Sequence, residues 1–396
     1  MKKDKEKKSI KQSKKTNLIR SLAFYGDSEG SEVYAIDVAQ MSVAATIPTG
    51  LGPYPVDEIV KGKTLYAITR KEEYVTVIDV PTLTQQGRIQ LQHKPRSAQG
   101  NVNGLAIISG ANKPLTSIID IQTQTVRNPP LGANITGTIE DFGGQLASGH
   151  EKWLADNRRF WQFDRISRKI SIYDSADNSL VWSVNSPTSI HHLIEDKFNL
   201  SRWYVICEGN PKAFIPASIM IIEEGRNGFE VTANVFLPTI NRSFGSHHID
   251  RHPEGKYFYI GSSEGTTFVF DKDNQQIIGQ IQTGKGCGHT RFTADGNLAV
   301  VVNHTDKFVS VIDSRSHQLI QNIEITQSTP QAAPRNRTQG HTTDIKGYKF
   351  YVMASLDAVF IEIDLTTLSI SRSCDLPQVN SLGVKPFPMQ GVFVEG

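Results

Sequence analysis

Gly245 to Asp271 reads GSHHIDRHPEGKYFYIGSSEGTTFVFD. A histidine pair opens a short alternating run, a Pro-Glu-Gly turn comes next, and two β-rich runs flank a second turn before the stretch ends in Asp. This order describes most of one four-stranded propeller blade. It recurs through the chain, with an acid closing the same strand each time: YAID at Asp37, VTVID at Asp79, TSIID at Asp120, ISIYD at Asp174, IMIIE at Glu223, FVFD at Asp271, VSVID at Asp313 and IEID at Asp364. The intervals between these acids run from 41 to 54 residues. Short strands repeated at that period predict an all-β, single-domain β-propeller.

No segment sustains a 3.6-residue apolar period over three turns, so helices are not expected. The stretch GVKPFPMQGVFVEG at the C-terminus reads as an unpaired first strand, whereas the first unit begins at its second strand, LAFYG. Pairing Gly391–Glu395 with Leu22–Tyr25 would close the ring and remove its free edges. The expectation is eight four-stranded blades over residues 21–396, with seven as the alternative. Residues 1–20 form a lysine-rich leader, expected to be disordered because it has almost nothing apolar to bury.

The 396 residues carry 42 Lys and Arg against 40 Asp and Glu. Much of the basic charge lies in the leader, so no broad basic surface for nucleic acid is expected. No apolar run is long enough for a membrane span. The segment after the leader is too short and too polar for an export signal, so the chain reads as cytoplasmic by sequence. Cys207, Cys287 and Cys374 show no paired spacing, so a disulfide framework is not expected.

The repeat segments LYAITRKEEYVTVIDVPTLTQQGRIQL and LAVVVNHTDKFVSVIDSRSHQLIQNIEI resemble the YVTN propeller repeat. The resemblance covers nearly the whole chain from Ser21 onward. It implies a propeller fold, is compatible with enzymes and scaffolds alike, and through the family's oxidoreductases suggests a periplasmic setting.

Counting back from the second strand of each unit gives the residue that opens the first strand: Val56, Arg96, His150, His192, His248, His289, His341, and Lys385 or Gly383 in the closing unit. Five consecutive units therefore share a histidine in one phase, out of eleven histidines in the chain. The first strand of a blade lines the central channel, so these five imidazoles should converge at its mouth. Imidazoles without thiolates suit copper, zinc or iron. Glu151, Asp250 and Asp344 are the candidates to hold their second ring nitrogens. A histidine in this position can also be a structural residue bonded to a neighbouring carbonyl, but a packing role should be held ring-wide, and three units lack it. Arg96 and Lys385 are the cations expected to attract a small anionic substrate.

This arrangement resembles the copper propellers of nitrous oxide reductase and thiocyanate dehydrogenase, which have seven blades and are exported. That resemblance implies a copper-dependent oxidoreductase acting on a small inorganic anion at the histidine-lined channel mouth, with an external electron carrier. Haem d1 propellers match the eight-blade count better, although no CxxCH attachment motif is present. The alternative from another class is a non-catalytic propeller that serves as a protein-interaction scaffold. His252 and His317 are expected at the surface of the opposite face, and His93 and His304 in loops farther out on the histidine face.

Overall fold

Each blade is built around two strands that read as nearly continuous apolar runs, such as YFYIGS and TTFVFD in Tyr257–Ser262 and Thr266–Asp271. Both faces of such strands are buried, because each blade packs face to face against its neighbours. The fourth strands are mostly exposed or half-buried, as in Gln276–Gln282 and Gln318–Glu324, because they form the outer rim. The computed structural model describes residues 21–127, 129–136, 146–210, 212–238 and 246–395. The leader expected to be disordered lies outside the described residues.

Eight antiparallel sheets form the ring, so the count is eight and the seven-blade alternative falls. Blade 1 spans Ser21–Pro48, blade 2 Pro53–Gln90, blade 3 Pro95–Gly132, blade 4 Lys152–Asn185, blade 5 Ile190–Phe236, blade 6 Ser246–Gln282, blade 7 Cys287–Glu324 and blade 8 Asp344–Asp375. Blade 3 carries a fifth short strand, because its outer edge is divided between Thr125–Val126 and Leu131–Gly132. Pro388–Glu395 completes blade 1 as its innermost strand, with Leu22 opposite Val394 and Tyr25 opposite Gly391, as expected from the chain ends. No helix among the described residues is long and apolar enough to cross a membrane.

The recurring acid is a turn device. The carboxylates of Asp37, Asp79, Asp120, Asp174, Asp271, Asp313 and Asp364 each accept a backbone N–H two or three residues on. Four residues after each of these acids the chain enters the left-handed region, at Met41, Leu83, Gln124, Asn178, Gln275, His317 and Leu368, with φ between 49° and 63°. The repeat legible in the sequence is therefore the hairpin joining the third and fourth strands, where an Asx-type bond fixes the loop.

The apolar core lies in the seams between blades. One cluster joins blades 4 and 5 through Trp161, Trp203 and Phe229, with the two indole rings 5.3 Å apart. Another joins blades 1 and 8 through Tyr25, Tyr34, Tyr351 and Phe360.

Candidate metal centre

The innermost strands all begin with the same irregularity. In blade 3, Pro95 pairs with Gly110 and Ser97 with Ser109, which leaves Arg96 as an inserted residue. Register shifts occur at the same point in blades 1, 2, 5, 6 and 7. In blades 4 and 8 the opening bridges Ser148–Asp164 and Gln339–Ala354 stand apart from the rest of the strand. A bulge bends its strand and re-aims side chains. Here it turns the opening residues of each blade toward the axis.

Measured from the opening pair of each blade, His150, His192, His248, His289 and His341 all stand two residues on. The remaining blades hold Pro55, Ser97 and Gln390 at this position. The histidine phase is thus one structural register, but three of its expected companions are not in it. Val56 lies one step further on and is buried in the seam between blades 1 and 2. Arg96 lies one step earlier, on the bulge itself. Lys385 is exposed in the loop before the closing strand, where its carbonyl accepts from Arg335 at 2.5 Å, and Gly383 lies in the same loop. Bulges and loop lengths differ between blades, so counting residues places these positions only to within a few residues.

The five imidazoles do come together. Ring centres are 6.1 Å apart for His150 and His192, 5.6 Å for His192 and His248, 3.5 Å for the stacked pair His248 and His289, and 6.2 Å for His248 and His341. Two further histidines join them. His191 lies 5.3 Å from His150 and 5.1 Å from His248, and His304 stacks on His341 at 4.1 Å.

His304 belongs to a second register, the residue that comes after each second strand: Ser28, Arg70, Ala111, Arg165, Glu208, Ser263, His304 and Ser355. In seven of the blades its N–H donates to the carbonyl just ahead of the innermost strand of the same blade, as with Arg165 to Ala147 and His304 to Gly286. The second register supplies Arg70, Arg165 and Glu208 as well as His304. The signal for it was available as a charged or imidazole residue after RFWQFD, RWYVIC, TLYAIT and LAVVVN.

Glu208 ties the two registers together. It accepts from Arg165, and its other oxygen is 3.1 Å from His191 Nδ1. Asp250, one of the expected carboxylate partners, lies 3.5 Å from His289 Nδ1 and accepts the Thr290 N–H at 2.8 Å. Burial pushes the Asp250 carboxyl up, and His289 and Arg291 beside it outweigh that and hold it below its ordinary value. The other two expected partners do different things. Glu151 accepts the Thr116 hydroxyl at 2.7 Å, and burial raises its carboxyl to about 8. Asp344 lines a channel cavity of about 530 Å3 together with His289, Arg291 and His341.

Burial, assisted by nearby cations, lowers the pKa of His150, His192 and His304 well below the ordinary imidazole value, so these rings are neutral at pH 7. The added cations are Arg96 for His150, Lys152 for His192 and Arg337 for His304. Arg96 itself is only 1% exposed and donates to the Ser148 carbonyl. Burial, then Arg165 and Arg70, hold its guanidinium pKa well below the usual value.

His93, His252 and His317 are structural. His93 is buried and bonded to the Ser117 hydroxyl at 2.9 Å. His252 is buried rather than at the surface, bonded to the Gly296 carbonyl at 2.9 Å, and His317 meets the Tyr259 hydroxyl at 2.7 Å. Trp153 packs on Phe160 and donates to the Gln99 carbonyl, so it does not wall the site. The three cysteines are free and buried, and burial raises the Cys287 thiol.

Known proteins with this architecture span several functions. No known family model matches the chain. The methylamine dehydrogenase heavy chain of Methylobacillus flagellatus is 27% identical over 138 residues, which is 33% of this chain and 34% of that protein. The match thus spans about a third of that curated relative's length. Crystalline AztD from Citrobacter koseri superposes with a TM-score of 0.67 at 13% identity, covering 96% of this chain and 99% of that one. The dihydro-heme d1 dehydrogenase NirN, in complex with DHE, superposes with a TM-score of 0.65 at 13% identity, over 93% of this chain and 74% of that one. At these identities the superpositions show the propeller fold.

Among the described residues no three His, Cys, Asp or Glu side chains are already disposed around one point as metal ligands. Their rings are turned against one another. An imidazole bonded to a metal at about 2.0 Å has its centre about 3 Å from the ion, so two ligands of one ion have centres within about 6 Å. Of the observed separations, the stacked pair at 3.5 Å is too close for two ligands of one ion and the pair at 6.2 Å lies at the limit, and the ring orientations are not those of ligands.

Proposed function

We propose that the imidazole cluster binds a transition-metal ion, copper foremost with zinc or iron as alternatives, and that the protein is an oxidoreductase acting on a small anion at the channel mouth. The observation that supports this reading is the gathering of seven buried or half-buried imidazoles from blades 4 to 8 with no thiolate among them. A nitrogen-rich donor set favours copper, zinc or iron. His192 Nδ1 and His304 Nε2 are buried without a hydrogen-bond partner, which costs free energy unless something occupies them. Glu208 beside His191 and Asp250 beside His289 are carboxylate–imidazole pairs of the kind that orient metal-binding rings.

When bound, the metal would supply redox capacity and Lewis acidity. The chain's own residues exclude bulk water around the rings, hold His150, His192 and His304 neutral, and fix His191 and His289 by carboxylates. The surrounding guanidinium groups favour a negatively charged substrate, and an external carrier would take up the electrons.

Elemental analysis of the full chain, expressed with copper, zinc and iron each supplied, tests this. Wild type should carry stoichiometric metal, and His248→Ala, at the centre of the cluster, should lose most of it with an unchanged circular dichroism spectrum. If both purify without stoichiometric metal, the scaffold reading takes its place.

A further inference from the structure

Beside the imidazoles, on the same face, lies a cavity of about 430 Å3 whose wall includes Tyr54, Arg70, Pro334, Arg337, Phe387 and Met389. Tyr54 and Met389 are the bulge residues of two innermost strands, so the cavity opens from the ring itself. The Arg70 guanidinium lies 4.0 Å over the Tyr54 ring, and Arg337 donates to His341 Nε2. Both arginines are half-buried. Among the described residues neither has a carboxylate within ion-pair distance, and Arg70 Nε is buried without a hydrogen-bond partner. Their neighbour Arg335 differs: Glu29, also on the wall, neutralises it at 2.6 Å, and its guanidinium lies over Phe387.

Two guanidinium groups facing one cavity without a carboxylate in ion-pair contact are an arrangement that an anion stabilises. Arginine presents a planar fork that matches a carboxylate. The rest of the wall sets the rings of Tyr54, Phe387 and Pro334 and the Met389 thioether, which offer contact to an apolar body, beside the polar side chains of Ser28, Lys71 and Asn336. A volume of this size suits a small organic molecule.

We propose that this cavity binds an organic monocarboxylate, with its carboxyl group held by Arg70 and Arg337 and its apolar body against Tyr54, Phe387 and Met389. Arg337 joins the carboxylate subsite to His341, and so to the imidazole cluster. The statement that this anion is the substrate rests on the function proposed above; its binding does not, because no ligand in the subsite is a metal.

The test uses full-length, chelator-treated protein and calorimetric titration with benzoate, its neutral isostere benzamide, and inorganic phosphate. Benzoate should bind saturably and more weakly as salt rises. Benzamide should bind at least about tenfold more weakly, a difference of about 1.4 kcal/mol. Arg337→Gln, in a loop, and Arg70→Gln should each weaken benzoate by about tenfold or more at unchanged melting temperature, and Arg70→Lys should recover part of the loss. Equal binding of benzoate and benzamide, wild-type affinity in both Gln variants, or tighter binding of phosphate than benzoate would overturn the proposal. Should Arg70→Gln fail to fold, Arg337→Gln decides alone. Metal-free protein that binds benzoate but never acquires metal would retain this inference and remove the oxidoreductase reading; the reverse outcome would do the opposite.

Discussion

Asp57 shows how a single half-buried carboxyl responds to this architecture. Its side chain accepts the Ala98 N–H at 2.7 Å from the next blade, and burial raises its pKa to about 7, against the pull of that bond and of Arg70. A carboxyl raised above its unfolded value of about 3.9 keeps a proton that the unfolded chain releases. Its favourable contribution is therefore complete below about pH 4 and declines as pH rises to about 7. Asp57→Asn keeps an acceptor for Ala98 and does not titrate. Urea unfolding at pH 5, 6 and 7 should show the wild type losing stability relative to Asp57→Asn by up to about 1 kcal/mol per pH unit. Parallel curves would show that burial does not govern this carboxyl.

At the scale of the element, the strand-three to strand-four hairpin is what the chain repeats. Its Asp caps one end of the loop and its left-handed residue closes the other. Non-glycine residues in that conformation carry a cost of about 1–2 kcal/mol. Gln124 is exposed and has φ 55°, with no packing role to offset the cost. Gln124→Gly should therefore stabilise the protein by about 0.5–1 kcal/mol after the added chain entropy of glycine is subtracted. A lower urea midpoint than wild type would refute this account. The innermost strands obey a different local rule, because their opening bulge varies between one and two inserted residues. This is why the histidines could be aligned from sequence while Arg96 and Val56 were placed one step from them, and Lys385 further away.

For the whole molecule, the closing strand Pro388–Glu395 decides whether eight blades form a ring. It pairs along Ser21–Asp27, and its buried Val394 packs with Leu22 and Phe24 in the seam of blades 1 and 2. Removing residues 388–396 would expose the inner edge of blade 1 and leave that seam unfilled. The truncated chain should lose its cooperative unfolding transition or aggregate. A truncation that melts like wild type would show that the ring does not depend on this closure.

The sequence alone determined what depends on local chemistry: the strand period, the acid that ends one strand of each unit, the closure inferred from an unpaired first strand, and the recurrence of histidine at His150, His192, His248, His289 and His341. These could be read because each is written within one blade. Tertiary structure decided what depends on neighbouring blades. Glu208 of blade 5 meets Arg165 of blade 4, and His304 of blade 7 stacks on His341 ahead of blade 8. Arg70 and Arg337, 267 positions apart in the chain, face one cavity only because the ring closes on itself. A linear pattern reports which residues occupy equivalent positions; the curvature of the ring determines which of them touch.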